Sequence, residues 1–538
     1  MQREFLSSND EIEVEVAKIN EFGCEEMKEV KVGEYGSVLL IRDKAGDFSA
    51  IGRKCSHYGA PLSKGALCDN HVRCPWHGAC FNIKTGDIED FPGLDSIPVY
   101  KVKINNGSVY IRCRRQELST AKRLPTLTNY QPNFDKRVFF IIGGGPAALS
   151  CADTLRKEGF QGRIIMATRE RSLPYDRPKL SKALSSTAAS LQLRSAEFFK
   201  DTAIEVLTES EVIGLNIKTK TVTMKDNSII IYDSVLIATG SNPRIMHITG
   251  SQAKGIFTLR TPEDGNAIAS ESNGKNVVIV GSSFIGMEIA AYLANKAQSV
   301  SVIGRSQTPF SATLGPRIGA ALQKMHESKG VKFFSKTNVK SFHADDNNNL
   351  TGLTLSNGIY IPADVCILGI GVTPATEFLA GSGISLSKHG FVPVDENMKV
   401  AADVYAAGDI AQFTIQATRG LPVSIGHYQI ALKHGNIAAK NMLGKNVALN
   451  TVPYFWTQMF GKSLRYTGFG AGFDEITFDG DVEGLSFIAY YIKSNRVIAA
   501  ASMGRDPAVS RIAALMLSNS MPSADEIRKD SMVWQTRL

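Results

Sequence analysis

The segment from Arg137 to Phe160 reads RVFFIIGGGPAALSCADTLRKEGF. An apolar strand runs into a glycine-rich turn, and the turn opens a helix whose small residues face the strand. Gly143, Gly145 and Ala148 fit G-x-G-x-x-[GA], the pattern of a tight turn, a close approach to a pyrophosphate and close helix–strand packing. The anion would rest on the helix N-terminus, where free N–H groups and the helix dipole favour negative charge. A second strand, GRIIMATRE, ends in Glu170, a carboxylate placed to hold a ribose 2′-OH.

The pattern then repeats. KNVVIVGSSFIGMEIAAYLANKAQSVSVIGR (Lys275 to Arg305) is another strand–turn–helix–strand unit, with Gly281 and Gly286 at the outer positions and Ser283 in the middle. Its second strand ends at Gly304, where an acid would be expected for NAD, and Arg305 follows. With no carboxylate to repel a 2′-phosphate, this unit suits NADP at least as well as NAD. VLIATGSNPR (Val235 to Arg244), containing Ala238 and Gly240, and DVYAAGDIAQF (Asp403 to Phe413) each end a strand in a small-residue turn. The second carries Asp409, placed to bind a ribityl hydroxyl.

Upstream, KCSHYGAPLSKGALCDNHVRCPWHGACF (Lys54 to Phe81) holds Cys55-x-His57 and Cys74-x-x-His77, separated by sixteen residues. Structural zinc sites use Cys₂His₂ sets, but fingers present a Cys pair and then a His pair. One Cys and one His per half suits a [2Fe–2S] centre, with two thiolates on one iron and two imidazoles on the other. Both halves continue into glycine-containing turns, as two equivalent clamping loops would. The Pro92-Gly93 turn in FPGLDSIPVY (Phe91 to Tyr100) could cover the site. The runs SVLLIRD, FSAIGRK, HVRCPW and GSVYIRC read as short strands of a small all-β unit.

A chain of 538 residues exceeds one core and calls for several domains. The net charge of +8 is scattered except in RCRRQELSTAKR (Arg112 to Arg123), which reads as a solvated linker; no nucleic-acid partner is expected. The start MQREFLSSNDEIEVEV has no apolar leader pattern, and no apolar run reaches the roughly 20 residues that span a bilayer. Eight dispersed cysteines favour a reducing compartment. The start, with no visible targeting pattern, favours the cytoplasm over the mitochondrion.

The Cys/His segment resembles a Rieske domain, which implies ligands Cys55, His57, Cys74 and His77. High-potential Rieske proteins carry a disulfide joining the two loops, where this chain has Ala60 and Trp76. They also place hydroxyl donors where it has Ala79 and Phe81. The expected potential lies near the low end of the Rieske range, roughly −150 mV. Residues from about Arg137 to Val447 resemble a flavoprotein with a FAD domain split by an inserted NAD(P) domain.

The chain lacks the Cys-x₄-Cys of glutathione-reductase-type enzymes, and LPYDRPKLSK (Leu173 to Lys182) resembles a segment of oxygenase ferredoxin reductases and of apoptosis-inducing factor. That resemblance implies that Lys182 lies near the flavin, paired with Glu288, and that Arg177, Tyr428 and Trp456 of PYFW lie beside it, with His427 near the ring. The whole resembles the apoptosis-inducing-factor-like proteins that carry a Rieske domain.

The expectation is multidomain: a Rieske domain (10–113), a linker (114–136), a FAD-binding domain (137–265 and 395–447), an NAD(P)-binding domain (266–394) and an α+β C-terminal domain (448–538), as monomer or homodimer. A flexible linker would span roughly 27 Å and let the cluster dock near the flavin. Electrons would pass from NADH or NADPH through FAD to the cluster and on to an acceptor, protein or small molecule, that no motif names. A slow-turnover signalling protein and a donor to a separate oxygenase use the same sites. An oxygenase itself would need a two-His-one-carboxylate iron site, and the remaining candidates, His427 and His434, fall on the helix already assigned to the flavin.

Overall fold

The computed structural model describes residues 10–124 and 127–537. The N-terminal residues read for a leader, through position 9, and residues 125 and 126 of the expected linker lie outside that range. Among the described residues no helix is long and apolar enough to cross a membrane.

The first unit is all β. A six-stranded antiparallel sheet takes the order Glu11–Lys18, Ser108–Arg114, Val99–Asn105, Phe48–Ile51, Gly36–Arg42, Glu26–Val32. A second sheet of four short strands, Ala66–Cys68 through Ile88–Asp90, carries the Cys74 loop between His71–Arg73 and Cys80–Asn82. Alternation buries one face of each pairing. Leu39, Ile41 and Ile51 of the large sheet meet Val72, Phe81 and Ile97 in one core beside Cys55 and Cys74.

Behind it stand two parallel sheets. The first orders Ile204–Leu207, Arg163–Ala167, Val138–Ile142, Ser234–Ile237, Val404–Ala406, with antiparallel Lys399–Ala401 at the edge. Its crossover helix α1 (Pro146–Lys157) packs small faces against a long C-terminal helix. The second sheet orders Ile256–Phe257, Val365–Leu368, Asn276–Val280, Ser299–Ile303, Val331–Phe334, all parallel, with helix α2 (Phe284–Leu293) following its central strand. The runs VFFII and VVIV are fully apolar because both faces of such sheets are covered.

The expected division at 265/266 and 394/395 needs correction. Ile256–Phe257 pairs with Val365–Leu368 of the inserted sheet, so the insertion begins earlier. Val392–Pro393 pairs with Ala411–Gln412, so the chain has already returned there. The crossing itself is a two-stranded antiparallel ribbon, Ser241–Pro243 with Val372–Pro374. Strands of two or three residues carry no readable periodicity, which is why the boundary fell late.

Helix α3 (Tyr428–Met442) then packs on α1. The chain ends in a five-stranded antiparallel sheet ordered Tyr454–Met459, Lys462–Gly468, Arg496–Met503, Ser486–Lys493, Glu475–Asp481, followed by helix α4 (Ala508–Leu517).

The expected free tether is also corrected. The segment after the first unit is held on both sides: Arg123 N–H donates to Ser96 O (2.9 Å), Thr128 N–H to Arg156 O (3.1 Å) and Gln131 N–H to Gln161 O (2.8 Å). The first unit sits directly on the rest of the chain, and no swing is required to bring its Cys/His loops there.

Candidate functional site

The two Cys/His loops are built alike. Cys55 N–H donates to Ala60 O (2.9 Å) and Gly59 N–H to Cys55 O (2.9 Å); Cys74 N–H donates to Ala79 O (2.7 Å) and Gly78 N–H to Cys74 O (3.3 Å). Gly59 and Gly78 adopt φ of +76° and +77°, which glycine reaches without strain. Each sulfur accepts two backbone N–H groups, from His57 and Tyr58 at Cys55 and from Trp76 and His77 at Cys74. The Cys55 thiol donates to the Cys74 sulfur and holds Cys74 below the ordinary thiol value.

The two imidazoles meet with Nδ1 atoms 3.1 Å apart. Burial first, then the cations Lys179 and Lys122, pushes His57 down to about 3, and burial likewise keeps His77 neutral. Gly93 packs over Ser56, whose hydroxyl donates to Asp95 O (2.5 Å).

Among the described residues no three His, Cys, Asp or Glu side chains gather around one point. The four groups instead divide into a thiol pair and an imidazole pair, the division a two-iron centre with two protein ligands per iron demands. The donor set fits a [2Fe–2S] cluster.

A cavity of ≈ 800 Å³ lies between the two parallel sheets and the C-terminal sheet. Its walls include Gly143, Gly145, Glu170, Arg177, Lys182, Ala238, Gly240, Glu288, Asp409, Tyr428 and Trp456. Ala148, in the first turn of α1, lies beneath the wall and is fully buried in the core. Gly281, Gly286 and Arg305 stand outside this lining.

The glycines differ in purpose. A Cβ on Gly143 would sit 2.3 Å from Ala238 O, and one on Gly281 2.2 Å from Gly369 O. A Cβ on Gly286 would meet Gly281 O at 2.1 Å, so this position joins helix to turn. Around Gly145 a Cβ would meet nothing within 4 Å: the missing side chain leaves open cavity, the space a pyrophosphate needs. Ser283 holds the equivalent place before α2 with nearly the same backbone, φ −101° and ψ −170° against −85° and −173° at Gly145.

Lys182 Nζ lies 2.9 Å from Glu288 Oε2. Glu288 is 4% exposed, and its carboxylate also accepts from Thr457 Oγ1 (2.6 Å) and from the Ser181 hydroxyl. Glu170 receives Arg177 Nη2 (2.9 Å) and Tyr175 OH (2.7 Å). Burial opposes the charge on Glu170, but Arg177 and Tyr175 outweigh it and hold the carboxyl below its usual range. Asp409 accepts from Ser241 Oγ at 3.0 Å.

Sequence reading missed Ser181, Thr457 and Tyr175, because each hydroxyl serves a carboxylate distant or ambiguous in sequence. His427 borders the cavity; burial lowers it to about 4, against the pull of Asp409, and its Nδ1 finds no partner among the described residues. That orphaned nitrogen and the open cradle at Gly145 fit a dinucleotide such as FAD. His434 lies in the core outside the cavity lining, its Nδ1 accepting from Gly408 N–H at 3.3 Å and its Nε2 without a partner among the described residues.

The two sites touch. Trp456, a cavity wall, packs its indole 4.2 Å from the His77 ring and 5.9 Å from the His57 ring. The surrounding contacts cross the same boundary: Arg465 Nε donates to Trp76 O (2.9 Å), Ser510 Oγ to Cys74 O (2.9 Å), Gln429 Nε2 to Asp90 Oδ1 (2.8 Å), and Tyr58 OH to Asp176. Arg194 bridges Asp95 of the first unit (2.7 Å) and Asp153 of α1 (3.2 Å).

Fold and site define an oxidoreductase that uses FAD and NAD(P)H and carries an iron–sulfur module. The chain belongs to the pyridine nucleotide-disulphide oxidoreductase family, which matches residues 138–435. A Rieske [2Fe-2S] domain matches residues 13–101 and a reductase C-terminal domain residues 454–534. Among curated relatives, apoptosis-inducing factor 3 of Homo sapiens is 46% identical over 96% of this chain and 85% of that protein. The ferredoxin–NAD(+) reductase subunit of the Pseudomonas putida benzene 1,2-dioxygenase system is 33% identical over 61% of this chain and 80% of its own length. Among solved structures, a ferredoxin reductase from Rhodopseudomonas palustris matches with TM-score 0.71 at 25% identity, over 74% of this chain and 99% of its own. The covalent putidaredoxin reductase–putidaredoxin complex matches with TM-score 0.70 at 25% identity, over 74% and 97%.

Proposed function

We propose that this chain takes electrons from NAD(P)H and delivers them singly, through its own Rieske centre, to an acceptor outside the chain. The observation that carries this reading is the indole of Trp456, which borders the dinucleotide cavity and lies 4.2 Å from His77. FAD, when bound, supplies the conversion between a two-electron hydride donor and one-electron carriers.

The chain's own groups prepare the cavity for that exchange. Gly143 lets the turn close against Ala238 O, Gly145 leaves room for the pyrophosphate, and the N-terminus of α1 faces it. Lys182 presents an ammonium to the cavity, and Glu288, held by Ser181 and Thr457, fixes where that ammonium sits. A fixed cation there favours a reduced, anionic occupant over a neutral one. Asp409 and Glu170 are the candidates for hydroxyls of the bound dinucleotide. The neutral imidazoles of His57 and His77 are in the state that ligates metal.

Rapid anaerobic mixing of holoprotein with NADH or NADPH tests the reading, with flavin absorbance and the cluster's paramagnetic signal followed together. Flavin bleaching followed within seconds by the reduced-cluster signal is expected. A bleached flavin beside an oxidised cluster would overturn the internal relay. The 46% identity to apoptosis-inducing factor 3 favours a second reading, a redox signalling protein of slow turnover. Bleaching that takes minutes with either coenzyme would select it.

A further inference from the structure

We infer that the coenzyme is NADPH, and that Arg305 and Lys336 form the subsite for its 2′-phosphate. The inference rests on the reading that the inserted parallel sheet binds a nicotinamide dinucleotide. In that fold the adenosine ribose lies at the end of the strand after the glycine-rich helix, about 20 residues beyond the first glycine. Here that point is Gly304, 23 residues beyond Gly281, and the two are tied together: Gly281 N–H donates to Ile303 O at 2.9 Å.

The neighbouring strand closes a shelf around it. Gly304 N–H donates to Phe334 O (3.0 Å), Thr337 N–H returns to Gly304 O (3.2 Å), and Lys336 N–H donates to Ser306 O (3.3 Å). Lys336 turns the chain in the left-handed region, φ +55°, so the ends of both strands lie side by side with Arg305 on one and Lys336 on the other. Both side chains are exposed, and among the described residues neither has an ion-pair partner. The polar neighbours on the shelf are neutral: Thr337, Asn338 and Ser356 bond to one another.

Two features exclude an NAD-type carboxylate. A Cβ on Gly304 would meet Ser282 Oγ at 2.5 Å, so any side chain there must displace that hydroxyl. Across residues 289–344 the sequence carries eight Lys and Arg and one acid, Glu327. A dianionic phosphate meets two cations there and no like charge. Two charge-assisted contacts of this kind each supply about a tenfold preference or more.

The test uses the holoprotein with 2′,5′-ADP and 5′-AMP as probes, by titration calorimetry, alongside flavin reduction by each coenzyme. 2′,5′-ADP is expected to bind at least tenfold more tightly than 5′-AMP. Arg305→Ala or Lys336→Ala should each lower that ratio about tenfold, and the double variant further. A ratio near one in the unaltered protein, or a ratio untouched by both substitutions, overturns the inference even if NADH reduces the flavin well. If neither coenzyme reduces the flavin while 2′,5′-ADP still binds tightly at Arg305 and Lys336, the subsite stands and the proposed electron transfer falls. Both residues are exposed, so loss of folding is not expected; an unchanged melting curve verifies it.

Discussion

Trp456 and His77 come from parts of the chain 379 residues apart, yet their rings lie 4.2 Å apart and tilted by 43°. Trp456 owes its place to the antiparallel pairing of Tyr454–Met459 with Lys462–Gly468, where it sits opposite Arg465. Arg465 in turn holds Trp76 O, beside His77. One pair of strands therefore sets both the indole and the loop it meets. Replacing Trp456 by Ala removes the ring that spans the gap. Cluster reduction, timed against flavin bleaching in rapid mixing, should slow at least tenfold, and Trp456→Phe should recover most of it. Equal rates in all three proteins would remove the indole from the route.

The docked arrangement depends on a buried charge at the seam. Arg194 is 8% exposed and pairs with Asp95 and Asp153, which are 4% and 2% exposed. Lys157 remains beside Asp153 at 2.8 Å and Lys122 beside Asp95 at 3.7 Å, so Arg194→Met leaves both carboxylates partly compensated. A cost of about 3 kcal/mol is expected, at the lower edge for a broken buried pair. The unfolding midpoint should drop, and trypsin should cut the 114–136 segment several times faster. An unchanged digestion rate would show that the seam does not rely on this residue.

Much of this was legible from residue order, and the exceptions share a cause. Cys55, His57, Cys74 and His77 were readable because ligand chemistry and the two glycine turns leave a fixed spacing within 23 residues. The two glycine-rich units were readable because Gly143 and Gly281 must approach a carbonyl within a distance no Cβ allows. The start of the inserted sheet at Ile256 was not readable, since a two-residue strand has no pattern to detect. Nor was the seam: Arg194, Asp95 and Gln429 are ordinary polar residues in sequence, and only folding places them against partners from other units. The flexible tether was the natural reading of a charged stretch, and the tertiary contacts of Arg123, Thr128 and Gln131 override it.

Thr457 tests how tightly the carboxylate opposite Lys182 must be held. Its hydroxyl donates to Glu288 Oε1 at 2.6 Å, and both residues are buried. Thr457→Val keeps the shape and deletes the donor. The unmet carboxylate oxygen should cost about 1–3 kcal/mol of stability. Flavin reduction by NAD(P)H should slow with it, because Glu288 then holds the Lys182 ammonium less firmly. Thr457→Ser should restore both. Loss of stability with no change in reduction rate would confine Thr457 to packing.

His434 gives the fold a dependence on acid. It is fully buried on α3, 4.3 Å from the Phe413 ring, and burial lowers it from the ordinary 6.5 to about 3. The unfolded chain therefore binds a proton below pH 6.5 that the folded chain refuses down to about pH 3. Stability is complete above pH 6.5 and falls as the pH drops through that window, by roughly 2 kcal/mol at pH 5 from this group alone. His434→Gln carries no ionisable group and keeps an acceptor for Gly408 N–H. Urea unfolding at pH 7 and pH 5 should show the unaltered protein losing about 2 kcal/mol more between the two conditions than the variant does. Parallel losses in the two proteins would mean that His434 already takes up a proton in the folded state.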